Sequence, residues 1–512
     1  MSLRSTLGGL LNGLRSPDRG RARSAQNSAL YEGGSQTRRT IGWRAPTTSA
    51  NQAVLASLTV LRDRSRAATR NDGYAKSVVD KWVTNIVGLG IQARSKAVDP
   101  AIRTAVNDLW LRWTYESDAD GLLEWEGQVT QAVRTWLEGG EAFARFRSRL
   151  PQDGLAVPFQ VQILEPEHCP HAYTVLSGAA RVRAGIEFDA VGRRIAYYFH
   201  PSRPEQDDFD ASQLRRVPSD SVVHMYDPLR PGQLRGIPLL TQAMVALNEL
   251  SKYSDATMLR QQLANMFVAF VTRAPGAAGA EALNPLTGQP VERTSENKPM
   301  LAMEPGIFQE LDEGENVTFS DPPDAGGFPD FMRQQLYAVA AATGVPYEVL
   351  TGDMRGVNDR TVRVVLNEFR RRVQVYQHQI VAAKLCRPTW MAWFRAAYLS
   401  GALDLPSDYL QHPERYDAVE WQPQAFPYIH PVQDVDAQAA RVRNGFESRA
   451  AIVAENGGDI EAVDAAQADD NTRADALRLK HDSDGRFATG AVAPSAPLPE
   501  PDSETQPAGV AA

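Results

Sequence analysis

Residues 362–380 read Val-Arg-Val-Val-Leu-Asn-Glu-Phe-Arg-Arg-Arg-Val-Gln-Val-Tyr-Gln-His-Gln-Ile, the longest periodic run in the chain. Val362, Val365, Phe369, Val373, Tyr376 and Ile380 follow one another at intervals of 3, 4, 4, 3 and 4. That spacing stacks apolar side chains on one face of a helix. Just upstream, Gly352 to Asp359 is a polar loop. Before it, Phe331, Leu336, Tyr337 and Val339 suit a second helix, closed by Gly344 and stopped by Pro346. Further back, residues 275–323 hold seven prolines and little helical period, which suits a small irregular or β module. A β-like stretch, Phe267 to Thr272, and a helical run from Pro238 to about Asn265 precede it. Two helical elements therefore bracket an inserted module, and no internal repeat is visible.

The N-terminal half alternates helix and strand. Tyr74, Val78, Trp82 and Ile86 lie on one face of a helix ending at Gly88. Trp110 and Trp113 mark another helix, and Trp125 to Leu137 a third. Phe159, Val161 and Ile163 alternate with Gln160 and Gln162, the period of a half-buried strand. Ala184–Asp189 and Ile195–His200 flank a turn at Gly192 and read as a hairpin, and Val222–Met225 as a short strand. The expected fold class is α+β.

The chain has 512 residues, 43% of them hydrophobic and 23% charged, with a net charge of −8. Bulk charge does not make it a basic coat for nucleic acid. Two cysteines, Cys169 and Cys386, cannot build a disulfide scaffold. No apolar run reaches the ~18 residues that would span a bilayer, and Met1–Arg23 has no continuous apolar core of a secretion signal. A reducing, cytosolic origin is expected. Charge is uneven: residues 1–45 carry eight Arg and two acids, and residues 401–512 carry 20 acids and eight Lys/Arg. The first reads as a flexible basic arm and the Pro/Ala/Ser-rich end as disordered.

Catalytic constellations are hard to find. The dipeptide Gly-Lys is absent, so there is no standard phosphate loop. Gly88-Leu89-Gly90-Ile91-Gln92-Ala93 fits a dinucleotide fingerprint in letters only; a helix precedes it, so it reads as a helix stop. His168, Cys169 and His171 read as a surface turn, with a zinc site as the alternative. Asp118 and Asp120 read as a solvated turn. The nine tryptophans sit mostly at helical spacing beside aliphatic residues, which favours core packing over base stacking. No metal site, cofactor site or catalytic residue is assigned. Arg370, Arg371 and Arg372 are the densest basic run of the body. They suit a solvated face with Glu368 paired to Arg372, or a contact to DNA or a neighbouring subunit.

Several segments taken in order resemble the lambda-type branch of the phage portal protein family. They are Arg70-Asn71-Asp72-Gly73-Tyr74-Ala75 with Ile86-Val87-Gly88-Leu89-Gly90, Ile163-Leu164-Glu165-Pro166-Glu167, and Gly185-Ile186-Glu187-Phe188-Asp189 with Gly192-Arg193 and Ala196-Tyr197-Tyr198-Phe199. Val217-Pro218 and Val222-Val223-His224 follow, then Arg230-Pro231-Gly232-Gln233-Leu234-Arg235-Gly236-Ile237-Pro238, the most specific match. Gly344-Val345-Pro346-Tyr347-Glu348-Val349-Leu350-Thr351-Gly352-Asp353 and the later Trp421, Pro423 and Pro431 complete the set, which spans roughly residues 50–470.

The resemblance implies a portal fold assembling as a ring, usually of twelve copies. It divides the chain into an N-terminal arm (1–46), an α+β wing (47–240), a wing/stem helix and strand (241–274) and a β clip (275–323). A stem helix (324–346), a tunnel-loop region (347–360), a long helix returning to the wing (361–431), a helical crown (432–478) and a tail (479–512) complete the division. It implies a structural, non-enzymatic channel for double-stranded DNA at one vertex of a virion capsid, made in a bacterial host cytoplasm. Its partners would be copies of itself, the terminase large subunit, head-completion and tail-connector proteins, and capsid and scaffold proteins, with no membrane and no cofactor. Asp353, Met354, Arg355, Gly356, Val357 and Asn358 would lie nearest DNA, with Arg355 as the phosphate-facing cation, balanced by Asp353 and Asp359. The apolar stripe of 362–380 would be a candidate subunit contact, since a closed ring needs a heterologous interface. A nuclease or other hydrolase, and a monomeric DNA-binding adaptor, remain the alternatives.

Overall fold

Buried tryptophans hold the centre of the molecule. In the computed structural model, Trp110 packs against Trp113 and Trp390 in tilted contacts and edge-on against Trp393, at centroid distances of 4.7, 4.8 and 4.9 Å. The structure describes residues 38–39, 42–43, 45–176, 181–202, 211–265, 269–273, 315–319, 327–426, 431–479, 481 and 486. The expected basic arm, most of the clip-like module and most of the tail lie outside those residues.

The helices begin where short polar side chains can satisfy free N–H groups. After α1 (Ala50–Leu55) and α2 (Leu58–Asn71), Asp72 caps α3 (Gly73–Ile86) by accepting from Ala75 N at 2.8 Å. Val78, Trp82 and Ile86 are buried on the face the spacing indicates. Gly88 and Gly90 have positive φ, and the strand β1 (Ile91–Ser95) follows them, so this segment is a helix stop. Asp99 caps α4 (Pro100–Thr114), and α5 (Trp125–Gly139) ends at Gly140, whose φ is +88°.

Strands β2 (Glu141–Ser148), β3 (Phe159–Leu164) and β8 (Val222–Tyr226) form an antiparallel sheet in the order β3-β2-β8. A four-stranded antiparallel sheet joins β4 (Arg181–Arg183), β5 (Ile186–Phe188), β6 (Arg194–Phe199) and β7 (Arg215–Pro218) in chain order. Its β5–β6 pair is the hairpin expected around Gly192. A second, smaller core of Phe143, Leu164, Cys169, Ile186, Tyr197, Phe199, Val217 and Val222 lies between the two sheets.

Then the chain becomes helical, with α6 (Met244–Asn265) leading to β9 (Ala269–Arg273). Strand β10 (Glu315–Phe319) pairs antiparallel with β9 across the module. Helix α7 (Phe328–Thr343) is closed by Gly344 at φ +73°, and α8 (Tyr347–Thr351) follows Pro346. Helix α9 (Asp359–Tyr376) passes through a π-helical stretch, Gln377–Cys386, into α10 (Arg387–Leu399). Strand β11 (Val419–Pro423) returns to pair with β1, and α11 (Pro431–Arg443), α12 (Arg449–Glu455) and α13 (Ile460–Leu477) end the described chain. The chain is α+β, with helices and antiparallel sheets around a shared core.

The apolar stripe of 362–380 does not face outward. Phe369, Val373 and Ile380 are buried, and Trp82 of α3 packs on Phe369 and Tyr376, each at 5.1 Å. From Phe369 onward the stripe packs within the protomer because α3 offers a matching face, while Val362 and Val365 at its start are half-buried. Two local readings also change. Asp118 is buried and accepts N–H groups from Asp120, Leu122 and Leu123 and the Gln128 amide, so it organises its turn from inside. Cys169 is buried rather than on a surface turn, because Arg235 and Gly185 fill the space around it.

Candidate functional site

Between α8 and α9 the chain makes a short loop whose supports reach deep into the core. Leu350 and Tyr347 of α8 are buried, and Ser77 of α3 donates to Leu350 O at 3.0 Å. Trp82 Nε1 donates to Thr343 O at 3.1 Å, tying the end of α7 to the same helix. Gly352 and Gly356 have φ of +73° and +74°, a region that L side chains disfavour, and together they turn the chain outward. Asn358 caps α9 by accepting from Thr361 N at 2.9 Å.

Within the loop, Asp353 is the organiser and not a free acid. Its Oδ1 accepts from Arg355 N at 3.1 Å and Arg355 Nε at 2.9 Å. Its Oδ2 accepts from Arg355 Nη2 at 3.0 Å, Arg333 Nη2 at 2.9 Å and Tyr347 Oη at 3.1 Å. Hydrogen bonds from Arg355 and then Arg333 hold its carboxyl well below the usual range. The Asp353 side chain is 13% exposed and that of Arg355 is 83% exposed. Met354, Gly356 and Asn358 are exposed, while Val357 is half-buried. Balance from Asp359 falls on a side chain outside the described residues. Arg333, twenty residues before Asp353 in sequence, had no sequence signal; only the return of α7 alongside the loop brings it there.

The arginine run lies elsewhere. Arg371 is about 18 Å along α9 from its first residue at ~1.5 Å per residue. Glu368 pairs with Arg371 at 3.6 Å and not with Arg372 as the i,i+4 reading expects, because Arg372 folds back over Gly344. Arg370 lies over the Phe426 ring at 5.1 Å. Arg370 and Arg371 line a cleft of about 700 Å³ shared with β11 and α12, and Arg372 lines a smaller cavity of about 240 Å³ beside Tyr376. The structure therefore separates the run from the loop.

The segment 230–238 explains itself through a buried charge network that the sequence did not reveal. Arg62, Glu141 and Arg235 are all buried. Glu141 Oε1 accepts from Arg62 Nη2 at 2.5 Å and Arg235 Nε at 2.7 Å, while Oε2 accepts from Gly236 N at 3.0 Å and pairs with His224 Nε2 at 2.8 Å. Arg235 also donates to Ala184 O and Pro166 O. Burial alone would raise the Glu141 pKa, but Arg235 and Arg62 outweigh it and hold the group well below its usual range. Gly236 is required by contact: a Cβ there would meet Gly140 O at 1.9 Å. Burial pushes the Cys169 thiol up to about 11, so it stays protonated. Among the described residues no three His, Cys, Asp or Glu side chains are grouped to hold a metal ion, and no helix is long and apolar enough to cross a membrane.

The chain is α+β, with a paired-strand insertion between helices and a polar loop held by hydrogen bonds from α7 and α8. The sequence model of the phage portal protein, lambda family, matches residues 36–377, and the chain belongs to that family. It is similar to the probable portal protein of Halomonas phage phiHAP-1, with 25% identity over 450 residues, 84% of this chain and 83% of that protein. It is also similar to portal protein B of Escherichia phage lambda, with 20% identity over 490 residues, 86% and 88% of the two chains. Among solved structures, a chain from the neck of a native GTA particle computed with C12 symmetry aligns at 16% identity and a TM-score of 0.44, over 77% of this chain and 93% of that one. That likeness is too distant to bear on the fold.

Proposed function

We propose that copies of this chain, about twelve by family resemblance, close into a ring at one vertex of a phage capsid and that the enclosed channel carries double-stranded DNA in and out. In this reading the terminase large subunit docks on the ring during packaging, and head-completion or tail-connector proteins replace it. Capsid and scaffold proteins surround it, and the ring itself hydrolyses nothing. Residues 47–240 would form the wing, 324–346 a stem helix, 275–323 the clip and 432–478 the crown. The loop from Asp353 to Asn358 would face the channel, and Arg370–Arg372 would contact neighbouring subunits or DNA away from it.

Family membership over residues 36–377 is the observation that carries this reading. The loop chemistry supports it: one highly exposed guanidinium on anchored supports suits a passing phosphate better than a capture groove lined with many cations. An overall net charge of −8 per copy also favours transit over retention. Native mass spectrometry and end-on electron-microscope images of the purified chain test the ring; a protein that stays monomeric at every concentration sinks the proposal. Arg355→Glu should leave the ring intact and lower the amount of packaged DNA. Unchanged packaging would remove the loop from the channel. Robust magnesium-dependent cleavage of DNA, abolished by one Asp or Glu substitution, would instead favour the nuclease alternative.

A further inference from the structure

We propose that Arg333, Tyr347 and Arg355 form a phosphate-binding site that the chain fills with its own Asp353, so that a DNA phosphate is held only while it displaces that carboxylate. The inference rests on the channel reading above and adds the ligand chemistry of the loop and its built-in competitor.

The geometry is that of an occupied oxyanion site. Arg355 grips Asp353 with both arms of its fork, Nε to Oδ1 at 2.9 Å and Nη2 to Oδ2 at 3.0 Å. Arg333 Nη2 and Tyr347 Oη close on Oδ2 from the other side at 2.9 and 3.1 Å. Arg333 also lies over the Tyr347 ring at 5.9 Å, which fixes the two donors relative to each other. Two guanidiniums and a phenol converging on two oxygens is an arrangement that accepts a carboxylate or a phosphodiester alike, since the guanidinium fork matches both. Two cations meet one anion, so the cluster keeps a surplus positive charge while Asp353 is in place.

Exposure decides how the exchange runs. Side-chain exposure rises from 13% at Asp353 through 37% at Arg333 to 83% at Arg355. Arg355 is therefore the donor a phosphate reaches first, while Arg333 draws Asp353 back once the phosphate leaves. Water weakens the exposed, Arg355 side of the pair, so a phosphate at Arg355 can compete with Asp353 and is returned when Asp353 closes again. A ring that must let DNA slide benefits from such a contact, because it is made and lost without a deep well at any register.

The test uses assembled rings of the full chain, a labelled duplex and a salt titration. Asp353→Asn is the informative variant. Asn retains Oδ1 as acceptor for Arg355 N, so the turn survives, while its amide N–H₂ repels the donors that Oδ2 accepted. Duplex affinity should rise roughly tenfold or more, and the slope of log K against log salt should steepen by about 0.9 for each phosphate newly held. Adding Arg355→Gln to D353N should return both to the unsubstituted values. Inorganic phosphate should release duplex from D353N rings more strongly than chloride of equal ionic strength. Asp469→Asn, an equal charge change on α13, should not tighten binding. Unchanged affinity in D353N, an equal gain in D469N, or equal release by both salts overturns the inference. Should D353N fail to assemble, Asp353→Ser must tighten binding in the same way or the inference falls. Rings that form and hold no more DNA in either variant refute the masked site alone, whereas a chain that never forms rings refutes the channel reading.

Discussion

His224 is placed so that it cannot easily take a proton. Its Nε2 lies 2.8 Å from Glu141 Oε2, and its Nδ1 lies 3.1 Å from Arg194 Nη1. Arg194 only donates, so Nδ1 must accept and the Nε2–H must donate: the ring is neutral. Burial, helped by Arg194 and Arg235 and opposed by Glu141, lowers its pKa from 6.5 to about 4. Between those values the unfolded chain binds a proton that the folded chain refuses, so stability rises with pH across that window and is lost as pH falls through it. The loss amounts to about 3 kcal/mol at the lower end. His171, also lowered to about 4, acts in the same direction. The carboxylate of Glu141 titrates below its own usual value and adds its loss at lower pH still. Denaturant midpoints measured from pH 7 to pH 4 should fall, and His224→Gln should flatten the part of that fall between pH 6.5 and 4. An identical profile in the variant would show that His224 is not the titrating group. No residue pattern hinted at this network, although resemblance singled out residues 230–238. Its partners, Arg62 and Glu141, stand 173 and 94 positions before Arg235, and no local pattern can report such a pairing.

At the level of elements, α9 was the most legible part of the chain, and its context the least. A 3-4-4-3-4 spacing defines a helix and a face, but it does not say which surface the face meets. Trp82 of α3 takes its middle, through Phe369 and Tyr376. The π-helical stretch after Tyr376 was invisible for a different reason. Pro388 lacks an N–H and its ring crowds the carbonyl four residues back, so the widened turns absorb what an α-helix would not. Gln377, buried in that stretch, donates to Ile86 O at 2.9 Å and so closes the end of α3. At its other end α9 depends on Asn358, which binds both the N–H and the hydroxyl of Thr361. Asn358→Ala should cost about 1 kcal/mol of stability. It should also speed hydrogen exchange in the loop from Gly352 to Val357 while leaving α10 unchanged. Equal exchange in loop and helix would mean that the cap does not hold the loop.

Across the whole molecule, the family match stops at residue 377 while the core does not. Trp390, Trp393 and Phe394 are fully buried, and the first two pack on Trp110 of a helix nearly three hundred residues earlier. Strand β11 pairs with β1 across more than three hundred residues. Helical spacing correctly placed most tryptophans in a core, but it could not say that both ends of the body share one. A chain ended after Gln377 would leave Trp110 and Trp113 facing water and β1 without a partner. Each buried aromatic removed costs about 3–5 kcal/mol, and a domain has only about 5–15 kcal/mol to lose. Such a truncation should therefore show no cooperative thermal transition and should bind an apolar dye at room temperature. A chain ended after Arg478 keeps every one of these contacts and should melt as the full chain does. If the shorter chain melts cooperatively as well, the C-terminal return is an appendage and not part of the core.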